Sequence, residues 1–179
     1  MKTLGLERST GECRSGDWVE HLALDGVTRL VIGTGPGSFA GIRSAIAFAQ
    51  GYRLGRPEVE VFGLPSPCAI AAECDLPALA VVGDARQGKA WIALFEAGVL
   101  TRPVFQVEAD ALASWVPAFC AVASPDDRRI GNRLRELFGE RYLGERLPSA
   151  EGLVAYAEAH AEALQLDPLP IYLNPAVRN

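Results

Sequence analysis

The sequence is poor in residues that hold metals or form covalent intermediates. It has two histidines, His21 and His160, and no HxxxH or HExxH spacing, so a histidine metal site is not expected. The four cysteines, Cys13, Cys68, Cys74 and Cys120, are scattered and include no CxxC pair, which leaves reduced structural thiols as the expectation. No Ser-His-Asp, Cys-His or metal constellation is evident, and a protease is discounted on that ground. No apolar run approaches the roughly 20 residues needed to span a membrane. The N-terminal run Met1-Lys-Thr-Leu-Gly-Leu-Glu7 puts an acid where a signal peptide needs its apolar stretch, so a cytoplasmic protein with no membrane partner is expected. Clustered positive charge is also missing. The formal net charge of −5 argues against direct nucleic-acid binding, because phosphate contacts need grouped Lys and Arg. There is no internal repeat and no low-complexity run.

What is present is an ordinary folding composition. Hydrophobic residues make up 49% and charged residues 22% of 179, enough for one domain or two small ones with a real core. Strand and helix patterns alternate, which implies an α/β architecture. The most clearly punctuated stretch runs from Thr28 to Gly51. Leu30, Val31 and Ile32 form a continuous apolar run, as in a strand covered on both faces. Gly33, Gly35, Pro36 and Gly37 end it. Ser38 is placed as the N-cap of a helix whose Ile42, Ala45, Ile46, Ala49 and Tyr52 share one face.

A helix that starts in a glycine turn offers free N–H groups and a positive dipole end, so Gly35, Gly37 and Ser38 are candidate anion-binding residues. The pattern Gly33-x-Gly35-x-Gly37-x-x-x-Gly41 is neither the dinucleotide GxGxxG nor a P-loop, and Pro36 breaks the GxSxG elbow. A tight turn that seats the helix on the sheet is the competing reading. The helix itself is thin: Ala40, Gly41, Ser44, Ala45, Ala47, Ala49 and Gly51 allow another helix to approach closely. Gly41, Ile42, Ala45, Ile46 and Ala49 are therefore candidate interface residues, with packing inside the subunit as the alternative.

The run Gly35-Pro-Gly-Ser-Phe-Ala-Gly-Ile-Arg43, followed by Ala49-Gln-Gly51, resembles the signature of the bacterial TsaB (YeaZ) family, often labelled glycoprotease-like. Asp84-Ala-Arg86-x-Gly88 before a strand with Trp91, and Pro170-x-Tyr172-Leu173, follow in the same order. The resemblance implies a shortened actin-like ATPase (RNase H-like) fold with two small lobes that has lost its own nucleotide chemistry. It implies a protein without catalytic activity or cofactor, paired with a TsaD-like paralogue or with itself as a homodimer. Its task would be to support TsaD in the threonylcarbamoyl modification of tRNA adenosine. The alternative is an enzyme that binds a nucleotide or another anion at Gly33 to Ser38, with Asp84 and Arg86 assisting. Glu7 stands where the family usually has Asp, and its turn reads as a remnant of a phosphate turn, with a solvated Glu as the alternative. The segment Gly11 to Gly26 is shorter than the family's, and Asp17 to Leu24 fits either one strand or two helical turns.

The remaining chain follows the same alternation. Val59 to Phe62 reads as a strand, Ser66 and Pro67 open a buried helix through Cys74, and Asp75 to Pro77 marks a boundary between an N-terminal lobe over 1–75 and a C-terminal lobe over 76–179. Leu79 to Val82 and Lys89 to Phe95 form a hairpin around Asp84 and Arg86, which read best as a hydrogen-bonded turn or ion pair. Val104 to Val107 and Phe119 to Val122 add strands, and Ala109 to Val116 adds a helix. Arg129 and Arg133 share a face amid mixed charges and read as a solvated surface. Ser149 caps a helix expected to run to Leu164.

Overall fold

The computed structural model describes residues 2–10 and 22–173, which divide into two compact units. Most of the proposed strand or helix at 17–24, together with His21 and Cys13, lies outside the described residues. The first unit comprises residues 1–69 and 148–171, and the second residues 70–147 and 172–179.

In the first unit, β1 (Lys2–Leu6), β2 (Val27–Gly33) and β3 (Glu60–Leu64) are parallel neighbours, and β10 (Gln165–Leu166) adds an antiparallel edge. The register sets Gly5 opposite Val31 and Val31 opposite Phe62. Leu30, Val31 and Ile32 are all fully buried, as the unbroken apolar run required. Side chains alternate along a strand, so the sheet has two faces to cover. Leu6, Leu30 and Ile32 pack with Ile42, Ala45, Ile46 and Ala49 of α1 (Phe39–Gly55). Gly5 points the other way, where a Cβ would strike the Ala150 carbonyl at the start of α5 (Ala150–Ala159).

That contact corrects the expected domain boundary. α5 closes one face of the first sheet, so the chain returns to the first unit instead of ending a C-terminal lobe. The division falls within α2 (Pro67–Cys74), ahead of Asp75. α5 is also shorter than expected. Ser149 caps it, its side chain accepting from the Gly152 N–H, but it stops at Ala159, and Ala161 is exposed.

The second unit is built on β4 (Ala78–Arg86) and β5 (Lys89–Glu96), an antiparallel hairpin. Its sheet is ordered β6 (Val99–Leu100), β5, β4, β8 (Ala121–Ser124), β9 (Tyr142–Glu145), with β7 (Phe105–Glu108) also pairing to β5. Ala80, Val82, Ile92 and Val122 pack with Leu112 of α3 (Leu112–Trp115) and with Leu134 and Phe138 of α4 (Asn132–Phe138). The helix expected over 109–116 is a 3-10 turn, Ala109–Ala111, followed by the short α3.

Candidate functional site

The glycine turn is built as the sequence suggested, yet its contents differ from an open anion site. Ser38 is the N-cap of α1, its Oγ accepting from the Gly41 N–H at 3.3 Å. Gly35 has φ 94°, which favours glycine, and its N–H donates to Ser66 Oγ at 3.1 Å. The Thr34 N–H donates to the Leu64 carbonyl, and the Ser38 N–H donates to the Ser9 carbonyl at 2.6 Å. Three donors of the turn, at positions 34, 35 and 38, are therefore spent within the first unit.

The chain after β1 lies directly on this turn. A Cβ at Gly33 would strike the Glu7 carboxylate, one at Gly37 the Ser9 backbone, and one at Gly41 the Arg8 carbonyl. The glycines every fourth residue thus receive three successive residues of the β1 turn. Of the two readings of this motif, the geometry supports close packing, and what is seated is the Glu7–Ser9 turn as well as the helix. A phosphate approaching Gly35, Gly37 and Ser38 would meet this segment.

Glu7 is not the solvated residue of the alternative reading. Its Oε1 accepts from the Ser9 N–H at 2.6 Å, while Oε2 is sealed from solvent without a hydrogen bond of ordinary geometry, although the residue as a whole is half-buried. Burial pushes the carboxyl above the usual glutamate range, opposed by hydrogen bonding from Ser9, Ser66 and the Arg8 amide. Ser66 is the partner that the sequence did not single out for this turn. Its hydroxyl reaches back across the sheet to Gly35, and only the β2–β3 pairing brings the two together.

The five residues expected at an interface, Gly41, Ile42, Ala45, Ile46 and Ala49, are all buried within the described chain. Ile42, Ala45, Ile46 and Ala49 form the face that covers the first sheet, so a partner cannot touch them in the folded protein. The exposed stripe lies opposite: Ala40, Arg43, Ala47, Gln50 and Leu54, flanked by Phe39. Phe39 is 56% and Leu54 88% exposed, and the Arg43 guanidinium sits 4.9 Å from the Phe39 ring centre.

Asp84 and Arg86 belong to the second unit, where they make a turn. Asp84 Oδ1 accepts from the Arg86 N–H at 3.0 Å, and the side chains approach to 3.7 Å. Arg86 and Gln87 have positive φ, and the ladder is irregular between Asp84 and Arg86, which marks a bulge beside a tight hairpin loop. Three arginines of the charged segment are engaged likewise. Arg129 pairs with Asp126, Arg133 with Asp110 and Glu136, and Arg135 with Asp127, whose carboxylate also accepts from Tyr142 OH at 2.7 Å. No group of His, Cys, Asp and Glu among the described residues is placed to hold a metal ion, and no described helix is long and apolar enough to cross a membrane.

No family model and no curated protein matches this chain. Among solved structures, the fold is shared with YeaZ from Pseudomonas aeruginosa, with a TM-score of 0.73 and 20% identity over 95% of this chain and 99% of that one. A second match, an uncharacterized protein with similarity to peptidase YEAZ from Pseudomonas aeruginosa, gives a TM-score of 0.65 and 21% identity over 87% of this chain and 78% of that one. The chain therefore has a YeaZ-like fold.

Proposed function

We propose that this protein is a non-catalytic scaffold resembling TsaB, which supports a TsaD-like paralogue in the threonylcarbamoyl modification of tRNA adenosine. The observation that carries this reading is the filled glycine turn within a YeaZ-like fold: the place where an ATPase would grip phosphate holds the chain's own Glu7–Ser9 segment. The two units are read in the same way, as the lobes of a shortened actin-like ATPase (RNase H-like) fold. The partner, a TsaD-like chain or a second copy, would dock on the outer stripe of α1, where Ala40 and Ala47 leave room for another helix and Phe39 and Leu54 supply apolar contact. Contact with tRNA would be indirect, given the net charge of −5.

The test compares two alanines of one helix. Ala47→Arg, on the exposed stripe, is expected to leave thermal stability within about 0.5 kcal/mol of the wild type and to abolish association with the TsaD-like partner or the second copy. Ala45→Arg places a long cation in the core and is expected to unfold the first unit. Association that persists in a folded Ala47→Arg protein overturns the proposed face. ATP with magnesium should leave the melting temperature unchanged, whereas saturable stabilisation with turnover would favour the nucleotide-binding enzyme.

A further inference from the structure

The chain that follows α5 lies along the outer side of β3 as a strap, residues 165–171, in which only Pro168 is buried while Leu166 and Leu169 are exposed. The Pro168 ring fills the hollow left by Gly63, where a Cβ would strike it and the Thr34 methyl group. Around that plug the attachments are slight. Gln165 and Leu166 pair with Gly63 and Phe62, the Asp167 carboxylate accepts from Arg53 Nη1 at 2.9 Å, and the Ile171 N–H donates to the Thr34 carbonyl at 2.8 Å. Asp167 has φ 53°, a left-handed conformation that aspartate tolerates, and it turns the chain out of the ladder ahead of the proline.

We propose that residues 165–171 are a detachable strap, plugged by Pro168 into the Gly63 hollow, which opens as a unit while the rest of the first unit stays folded. The core of the sheet does not need it: among the described residues, the cluster that joins Leu6, Leu30, Ile32 and Val61 to the inner face of α1 contains no residue of the strap. The ion pair that ties it to α1 is exposed on both sides, so salt screens it and water competes for it. A segment with one buried side chain and a two-residue ladder belongs to the low-stability end of a fold, where local opening precedes unfolding. Opening uncovers the edge of β3 at Phe62 and Gly63 and the Thr34 carbonyl at the head of the glycine turn. Closed, the strap denies that edge to strand addition by another chain. Opening of this kind is separate from the docking role of α1.

The test is native-state amide exchange of the full chain, followed by NMR at several urea concentrations and corrected for intrinsic rates. The Ile171 amide is expected to be protected, yet to exchange at least about tenfold faster than the Val31 and Ile32 amides of β2 and with a weaker urea dependence, because opening the strap exposes less surface than unfolding does. Two substitutions separate the openings. Pro168→Ala empties the Gly63 hollow and should speed exchange at Ile171 about tenfold in a chain that still folds. Gly51→Ala, which stabilises α1 at a position with open space around it, should slow the β2 amides about fivefold and leave Ile171 as it was, since α1 stays folded when the strap opens. An unprotected Ile171 amide overturns the proposal, as does one that shares the rate and urea dependence of β2, or one that Pro168→Ala does not speed. Equal slowing of both sets by Gly51→Ala, or loss of the fold in Pro168→Ala, would equally overturn it, because the strap would then not open by itself.

Discussion

Two glycines of α1 should respond to alanine with opposite signs. In an exposed helix interior, Gly→Ala stabilises by about 1 kcal/mol, because glycine loses more backbone freedom on folding. Gly51 is exposed with open space around its Cβ position, so Gly51→Ala should realise that gain. In a chain of this size it raises the melting temperature by about 2–4 °C. Gly41 has the same propensity term, yet its Cβ would strike the Arg8 carbonyl, which is backbone and cannot swing aside. The β1 turn must retreat, which carries an overpacking cost of about 1–3 kcal/mol. It also loosens the 2.6 Å bond between the Ser38 N–H and the Ser9 carbonyl, at about 1 kcal/mol. The hydrogen-bond loss and the propensity gain roughly cancel, leaving Gly41→Ala destabilised by about 1–3 kcal/mol, or about 2–12 °C. The assay is thermal unfolding followed by circular dichroism, with urea titration to confirm the order. If both variants melt higher than the wild type by similar amounts, the β1 turn does not rest on Gly41, and the packing account of the glycine motif is wrong.

Two further outcomes follow from ionisable groups. Hydrogen bonds from Tyr142 and Arg135 hold the Asp127 carboxyl below its ordinary value, so its contribution to stability is present above about pH 4 and is lost as the pH falls through the lowered value. Asp127→Asn should therefore melt lower than the wild type at neutral pH, and the gap should close in strong acid; a gap that stays constant with pH would refute the ionic account. Burial pushes the Cys68 thiol up to about 12, so at pH values near 8 it should react with a thiol reagent only after unfolding, as mass spectrometry of the modified peptide can read. Rapid labelling of Cys68 in the native protein would contradict the burial found here.

Local chemistry decided much of what was legible. The apolar run Leu30–Ile32, the caps at Ser38 and Ser149 and the inward face of α1 depend on near neighbours in sequence, and each appears where the pattern put it. The hairpin around Asp84 and Arg86 is of the same kind, since a carboxylate two residues from an N–H closes its own turn. The interface residues were misplaced for a physical reason. Small and apolar side chains suit a helix packed against a partner and a helix packed against its own sheet equally well, and periodicity does not name the neighbour.

The sequence by itself therefore determined the buried strand at Leu30–Ile32, the capped helix that follows it with its inward face, and the presence of a glycine turn between them. Tertiary structure alone decided what that turn is for. Glu7, Ser9 and Ser66 reach it from strand ends distant along the chain, and only the parallel pairing of β1, β2 and β3 brings them together. The return of α5 to the first unit is equally non-local, because the strands it packs on, β1 and β2, lie more than a hundred residues earlier in the chain. Backbone propensity is read within a turn or two, whereas the burial that assigns these residues their roles depends on contacts no short window contains.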